Sequence, residues 1–419
     1  MIELAVLCAA YSISLFYRGM LAVIAPELST ELLLNESQLG LLSSAFFISF
    51  AVAQIPCGIA LDRFGGRVTI ASCLWFAVSG ALLLSFTESY YWALLGQLLI
   101  GLGCAPVFTG AMLFIGRCFE ASRFGYIAAL VITIGSIGDL LGTMPLAMLA
   151  ETIGWRDSMR LIAMLTALVA LLCCYRLSSD KPTHNFESPL TMITGMFSIL
   201  RIKELWLLFP MFLFSYAVLM TIRGVWSGPY LADLYHSGAA ERGKVLMAMS
   251  LAMALGTFML GWFDRRFKNT KAVVMVSALL AVLPLISLSI YPETSVWLAM
   301  CSFVLLGLFG FNYPLLMSHS RTFLLPQYMG RGMAVLTAVS IAGVALVQAV
   351  SGLLLDRAGR AELMSAEQYR LLFIMLAVML LSATLIYGFS RRNGKADQPV
   401  TRILAGRKET IICSRGYLK

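Results

Sequence analysis

Twelve long apolar stretches dominate this chain of 419 residues and restrict what it can fold into. A helix needs about 20 residues to cross a bilayer, and a backbone in lipid must satisfy its own polar groups. Only 13% of the residues are charged, against about 25% in a soluble domain. We therefore predict an all-α membrane protein. The predicted spans are residues 3–27, 37–61, 67–87, 90–115, 125–150, 157–176, 204–230, 243–263, 271–291, 294–319, 332–355 and 369–389.

The charges between the spans predict their orientation. With the N-terminus in the cytoplasm, the loops and tail on that side hold 22 Lys and Arg residues, and the other side holds 7. This is the bias of the positive-inside rule, so both termini are expected in the cytoplasm. It also accounts for the net charge of +9 without a nucleic acid partner. The expected location is a bacterial inner membrane, with membrane lipids as partners.

The spans divide six and six around a polar segment that begins at Ser178. We predict an N-terminal six-helix bundle over 1–177 and a C-terminal six-helix bundle over 204–390. A cytoplasmic linker with an amphipathic helix is predicted over 178–203, and a basic cytoplasmic tail over 391–419.

The two predicted bundles carry an internal repeat. Tyr11 and Arg18 recur 205 residues later as Tyr216 and Arg223. Because each copy has six spans, the copies should be related by a pseudo-two-fold axis along the membrane normal. Three more landmarks recur at shifts of 202 to 205: Asp62-Arg63, Arg117 and Gly154 match Asp264-Arg265, Arg321 and Gly359.

Arg18 and Arg223 lie inside predicted spans, where a charge costs about 2.5–3.5 kcal/mol. Each has a tyrosine seven residues before it, on the same helical face. Two guanidinium groups and two phenols around one cavity suit a carboxylate or phosphate. A structural salt bridge is the alternative role for the arginines. Four further polar residues are predicted to line the route: Tyr17, Gln54, Asn312 and Gln348.

Asp139 is the one carboxylate deep within a predicted span. Three roles are open to it. It could bind the proton that drives transport, contact the amino group of a zwitterionic substrate, or form a fixed ion pair with Arg18 or Arg223.

The segment between spans 2 and 3 reads Gly58-Ile-Ala-Leu-Asp62-Arg63-Phe-Gly65-Gly-Arg67. This motif resembles the loop 2–3 motif of the major facilitator superfamily, and the layout of spans extends the resemblance over residues 1–390. The resemblance implies that Gly58, Asp62, Arg63, Gly65 and Arg67 form a conformational latch between the bundles. A weaker copy, with Asp264 and Arg265, follows span 8.

Tyr17-Arg18 followed by Pro26-Glu27 is similar to the first span of two branches of that superfamily, the organophosphate:phosphate antiporters and the anion:cation symporters. This resemblance implies an anion-binding arginine in span 1, and for the antiporters a second one in span 7. The chain departs from the antiporters at Asp139, close to where they carry a histidine. A carboxylate there disfavours a phosphate monoester.

We therefore predict a secondary active transporter that moves a small organic anion or zwitterion by alternating access, coupled to protons or to exchange. No ATP-binding loop, catalytic constellation or metal-ligand cluster is present in the sequence, so we expect neither an enzyme nor a cofactor. The transporter is expected to be monomeric. The alternatives are a drug efflux pump, uptake of a larger anionic ligand such as a siderophore, and a membrane sensor that does not transport.

Overall fold

The computed structural model describes residues 2–177, 203–293, 295–324 and 329–391, and all regular elements in these ranges are helical. We call residues 2–177 the N-terminal part and residues 203–391 the C-terminal part. The helices of the N-terminal part are α1 (Ile2–Leu32), α2 (Glu36–Phe86), α3 (Tyr90–Cys118), α4 (Ala121–Leu141), α5 (Met144–Ile153) and α6 (Trp155–Arg176).

The C-terminal part begins with a short helix, and its first long rod contains a π-helical turn. In chain order the elements are α7 (Lys203–Trp206), α8 (Phe209–Thr221), the π-helical turn (Ile222–Trp226), α9 (Ser227–Tyr235), α10 (Ala239–Phe267), α11 (Thr270–Ile290), α12 (Val296–Gly310), α13 (Tyr313–Arg321), α14 (Met329–Arg360) and α15 (Ser365–Gly388).

Eleven helical segments in the described ranges are long and apolar enough to cross a membrane, which confirms the predicted all-α class. The predicted linker helix and the basic tail lie outside the described residues, apart from Lys203 and Arg391. Predicted spans 2 and 3 form the single helix α2, which is broken at Gly65. There φ is 79°, a left-handed value that glycine adopts without strain.

Two spans predicted as continuous are interrupted by proline. Residues 125–150 fall into α4 and α5, with Pro145 in the first turn of α5. Residues 294–319 likewise fall into α12 and α13, with Pro314 in the first turn of α13. Proline cannot donate the backbone hydrogen bond that would continue the helix, but it fits a first turn well.

Each part contains a glycine that brings two of its helix backbones into direct contact. A Cβ on Gly138 of α4 would lie 1.9 Å from the backbone oxygen of Ser12 in α1. A Cβ on Gly343 of α14 would lie 2.0 Å from the backbone oxygen of Leu213 in α8. Both pairs therefore need glycine for direct backbone contact. The shift from Gly138 to Gly343 equals that from Arg18 to Arg223.

Three groups of helices join the parts: α1 against the π-helical turn and α9, α2 against α14, and α5 against α10. We call the side that carries Ile2 and Arg391 the terminal face, and the other side the opposite face. The contacts toward the opposite face are close. A Cβ on Gly352 would lie 2.6 Å from the Glu36 oxygen, and one on Gly228 would lie 1.9 Å from the Ala22 oxygen.

Polar contacts also join the parts at the opposite face. Glu27 of α1 forms an ion pair with Arg242 of α10. The Ala240 backbone N–H, in the first turn of α10, donates to Glu151 Oε1 at 2.6 Å. These contacts close the opposite face.

The buried apolar residues are arranged differently near the terminal face. There the N-terminal part has a separate cluster, which includes Leu4, Leu7, Leu61 and Ile115 and contains no buried residue of the C-terminal part. The larger cluster, in contrast, takes buried residues from both parts. Within the described residues, the two cores are thus continuous toward the opposite face and separate toward the terminal face.

Candidate functional site

Arg223 lies on the π-helical turn and links the two parts by an ion pair. Its Nη2 lies 2.6 Å from Asp139 Oδ1, and only 2% of the Arg223 side chain is exposed. Nε and Nη2 also donate to Ser250 Oγ on α10, at 3.1 and 3.0 Å. Such turns are frequent at functional sites because they redirect one side chain within a helix. Of the roles open to Asp139, the structure shows an ion pair, and its partner is Arg223.

Small residues in α4 bring Asp139 to this position. A Cβ on Gly135 would lie 2.2 Å from the Tyr11 ring, so α4 lies directly against α1. The Ser12 hydroxyl strengthens the contact by donating to the Ile134 oxygen at 3.1 Å. On α1, Gly19 leaves room for the arginine of the other part, since a Cβ there would lie 3.0 Å from Arg223 Nη1. The site is therefore assembled by backbone proximity.

Arg18 has a different environment. No carboxylate pairs with it anywhere in the described ranges, and its guanidinium carbon lies 4.7 Å from the centre of the Phe50 ring. It interacts with the phenolic groups of Tyr11 and Tyr216, while its Nε is buried without a hydrogen-bond partner. Arg18 is thus a cation held by aromatic groups, with unused hydrogen-bonding capacity.

An aromatic wall completes this cluster. The Tyr216 ring lies 5.6 Å from that of Tyr313 and 6.0 Å from that of Phe311. Tyr313 also interacts with Arg18, and its hydroxyl shares a 2.9 Å hydrogen bond with Thr337. The structure therefore brings together five predicted residues: Arg18, Arg223, Tyr11, Tyr216 and Asp139. The sequence analysis did not identify Tyr313 and Ser250. Both are polar residues inside predicted spans, and this was the signal that could have identified them.

Three of the polar residues predicted to line the route instead bond neighbouring helices. The Tyr17 hydroxyl shares a 2.9 Å hydrogen bond with Thr166 of α6. Gln54 donates to the Ala105 oxygen at 3.3 Å. Both side chains thus bond helices within the N-terminal part, and neither has a direct hydrogen bond to Arg18 or Arg223 in the described structure.

Asn312 has the same kind of role in the C-terminal part. It accepts a hydrogen bond from Ser215 at 2.7 Å and donates to Ser277 at 3.2 Å. Gln348, the fourth residue, lies where the parts meet, because a Cβ on Gly40 of α2 would lie 2.6 Å from its backbone oxygen. Its Oε1 is buried without a partner, so Gln348 keeps an unused acceptor there.

Two further carboxylates lie toward the opposite face. Asp233, near the end of α9, accepts a hydrogen bond from the Tyr369 hydroxyl at 2.6 Å. Glu27, the last residue of the first predicted span, pairs with Arg242. Both have partners away from Arg18, so Asp139 is the carboxylate that the structure places at an arginine of the predicted site.

The predicted latch residues lie at the terminal face. Gly65 forms the break in α2, and a Cβ on Gly58 would have nothing within 4 Å. The Arg63 guanidinium lies over the neighbouring Phe64 ring. Throughout the described part of the chain, no ion pair forms at the charged members of the two motifs, which are Asp62, Arg63, Arg67, Asp264 and Arg265.

Comparison of the sequence with curated proteins finds three informative relatives. The hexuronate transporter of Bacillus subtilis is 24% identical over 245 residues, which cover 56% of this chain and 55% of the relative. The membrane sensor protein UhpC of Salmonella typhimurium is 28% identical over 180 residues, covering 41% and 39%. The nitrite extrusion protein of Bacillus subtilis is 24% identical over 188 residues, covering 43% and 45%. The matches thus span about half or less of these relatives.

Solved structures match over more of the chain. The nucleoside transporter NupG superposes with a TM-score of 0.76 at 14% identity, covering 93% of this chain and 99% of its own. A bacterial homolog of the human lysosomal transporter Spinster, described as inward-facing and unoccupied, gives 0.75 at 19% identity, covering 93% and 96%. At these identities the match establishes the fold.

The family model of the Major Facilitator Superfamily matches residues 7–318 and 221–414, which together take in nearly the whole chain. This confirms the resemblance predicted from the loop 2–3 motif and the layout of spans. It also confirms that the protein is a multi-pass integral membrane protein of a transporter family and not an enzyme. The chain belongs to the Major Facilitator Superfamily.

Proposed function

We propose that this protein is a secondary active transporter that moves a small organic anion or zwitterion by alternating access. The observation that carries the proposal is Arg18, a guanidinium without an acidic partner in the described structure, at the junction of the two parts. An unneutralised charge within a membrane protein is costly, so its retention points to a ligand. Arginine binds carboxylates through two parallel hydrogen bonds.

The architecture supports twelve crossings in two bundles, 1–177 and 204–390, related by a pseudo-two-fold axis. At about 1.5 Å per residue, α2 is roughly 77 Å long, more than twice the hydrocarbon thickness. We therefore count one crossing on each side of Gly65. Gly138 and Gly343, which are related by the shift of the two arginines and each touch a backbone oxygen of the first long helix of their part, support the axis. With both termini in the cytoplasm, the opposite face is the closed extracytoplasmic side.

Asp139 is the proposed coupling residue. Its ion pair with Arg223 joins the parts, and 22% of its side chain is exposed, so a proton from solvent could reach it. Protonation would weaken the pair and change the charge of the site. The residues Gly58, Asp62, Arg63, Gly65, Arg67, Asp264 and Arg265 are proposed as a latch that engages when the terminal face closes.

Two of the relatives are named for anions, hexuronate and nitrite, which favours an anionic substrate here as well. A bacterial inner membrane is the proposed location, since these relatives come from Bacillus subtilis. The monomeric state also remains part of the proposal.

Uptake into proteoliposomes tests the proposal. Purified protein would be assayed with labelled monocarboxylates, dicarboxylates, amino acids and lipophilic drugs, with and without a proton gradient. We expect saturable anion uptake that Arg18→Ala abolishes. Arg370→Ala, at an exposed position on the opposite face, is the matched control and should leave uptake unchanged. Drug flux that persists in Arg18→Ala would contradict anion transport.

A membrane sensor is the second candidate, because one relative is named as such. Two measurements on the purified protein distinguish a sensor from a transporter. A sensor would be stabilised against heat by the anion in an Arg18-dependent way, yet would give no flux in proteoliposomes. Ligand at 100 times Kd stabilises a folded protein by about 2.7 kcal/mol, so binding without transport would be measurable.

A further inference from the structure

We infer that Asp139 sets the charge of the anion that this site accepts, because it neutralises Arg223 and leaves a single positive charge, on Arg18, for a monovalent anion. The inference rests on the proposed function and specifies its substrate class.

The charges around the site support this balance. The site contains one ion pair, between Arg223 and Asp139, and one further guanidinium, that of Arg18, whose neighbour Gly19 faces Arg223. The formal charges of these three side chains sum to one positive charge. The acids toward the opposite face are occupied elsewhere, Glu27 by Arg242 and Asp233 by the Tyr369 hydroxyl.

Asp139 is committed to Arg223 by geometry. The two groups are 2.6 Å apart, and Ser250 holds the guanidinium from its other side. Breaking this pair would leave a charge that is 2% exposed without a partner, which is strongly unfavourable. Arg223 is therefore not free for a second carboxylate of the substrate.

The internal repeat shows why Arg18 lacks such a partner. The shift of 205 that relates Arg18 to Arg223 takes Asp139 to Val344, which is fully buried. One repeat thus supplies a carboxylate to the arginine of the other, and nothing is supplied in return. A substrate carboxylate takes that place on Arg18.

The single positive charge disfavours both neutral ligands and dianions. A neutral ligand would leave Arg18 unneutralised. A dianion would place its second carboxylate near Asp139 in a site of low dielectric, where repulsion between like charges is strong. A monoanion balances the site.

The experiment measures binding of matched probes to purified full-length protein. Each pair shares a carbon skeleton and differs by one carboxylate: gluconate with glucarate, butyrate with succinate, and 2-methylbenzoate with phthalate. Affinities are taken from thermal shift and calorimetry for the parent, Asp139→Asn and Asp157→Asn. The last is a matched control, because Asp157 pairs with Arg160 at the exposed end of α6.

We expect the parent to bind the monoanion of at least one pair more tightly. In Asp139→Asn the affinity ratio of dianion to monoanion should rise at least about tenfold, and in Asp157→Asn it should stay unchanged. The double variant Asp139→Asn/Arg223→Gln again carries one positive charge, so it should return to the preference of the parent. A purely structural Asp139 would not produce this reversal.

Two results would overturn the inference while leaving anion transport intact: tighter binding of dianions by the parent, or an unchanged ratio in Asp139→Asn. If Asp139→Asn does not fold, the double variant decides, and a preference for dianions in it also overturns the inference. Failure of the proposed function differs from these results, because no anion of any charge would then be transported or bound by the parent.

Discussion

The contact between Gly228 and Ala22 is the most sensitive point at which the two parts meet. A Cβ on Gly228 of α9 would lie 1.9 Å from the Ala22 backbone oxygen of α1. Real Cβ atoms stay at least 3.0 Å from such atoms, so Gly228→Ala requires a relative movement of about 1 Å. The clashing atom is backbone, so a side-chain rotation cannot relieve it.

The cost falls on one conformation. Overpacking of this kind costs about 1–3 kcal/mol, and here it arises only while α1 and α9 touch. In the alternating-access scheme, the contact is lost when the opposite face opens. Gly228→Ala should therefore shift the equilibrium toward that open state by about 5-fold to 150-fold.

Hydrogen exchange followed by mass spectrometry measures this shift. Amides in residues 22–32 and 228–240 should exchange faster in Gly228→Ala, because both segments lose their cover when the parts separate. Gly261→Ala is the control, since a Cβ at this helical position has nothing within 4 Å. It should leave exchange at the opposite face unchanged. Protection equal to the parent in both variants would refute the reasoning.

Three further substitutions test other parts of the structure. Arg18→Lys keeps the charge but loses the planar pair of donors, so we expect KM for the anion to rise at least about tenfold in the uptake assay. Gly65→Ala places a side chain at φ 79° and ψ 169°, a region essentially restricted to glycine, and should cost about 1–3 kcal/mol, visible as a lower Tm than that of Gly58→Ala. Glu27→Gln removes a partly exposed ion pair with Arg242, so exchange in the first turns of α10 should rise about fivefold, as expected for about 1 kcal/mol.

Hydropathy was sufficient to predict the all-α membrane class, and the loop 2–3 motif with the layout of spans was sufficient to predict the family. These signals are one-dimensional: a run of apolar residues is long enough to cross a membrane whatever it packs against. The same reasoning placed Arg18 and Arg223 in one site, because an arginine in a span must face the protein interior. The repeat then identified their tyrosine neighbours.

The partners of individual polar residues could not be predicted in this way. Tyr17 and Arg18 are adjacent in sequence, yet Tyr17 turns into the N-terminal part toward Thr166. Adjacent helical residues point about 100° apart, so their surroundings depend on which helices pack on each side. The sequence alone left Asp139 with two possible arginines. The structure pairs it with Arg223, whose guanidinium passes α1 at Gly19.

Glycine contacts and charged groups follow different rules across the repeat. Gly138 and Gly343 are related by the shift of 205, and a Cβ on each would meet a backbone oxygen of the first long helix of its part, at 1.9 and 2.0 Å. The next residue differs between the two parts. At the same shift of 205, Asp139 of the N-terminal part corresponds to the buried Val344 of the C-terminal part. A small residue is required wherever two backbones touch, so the scaffold constrains both copies alike. A charge is required only where a ligand or a partner meets it, so one copy can lose it. This is why a chain with a repeated sequence pattern can hold a site in which one arginine lacks an acidic partner, and why the two arginines should respond differently to the loss of Asp139.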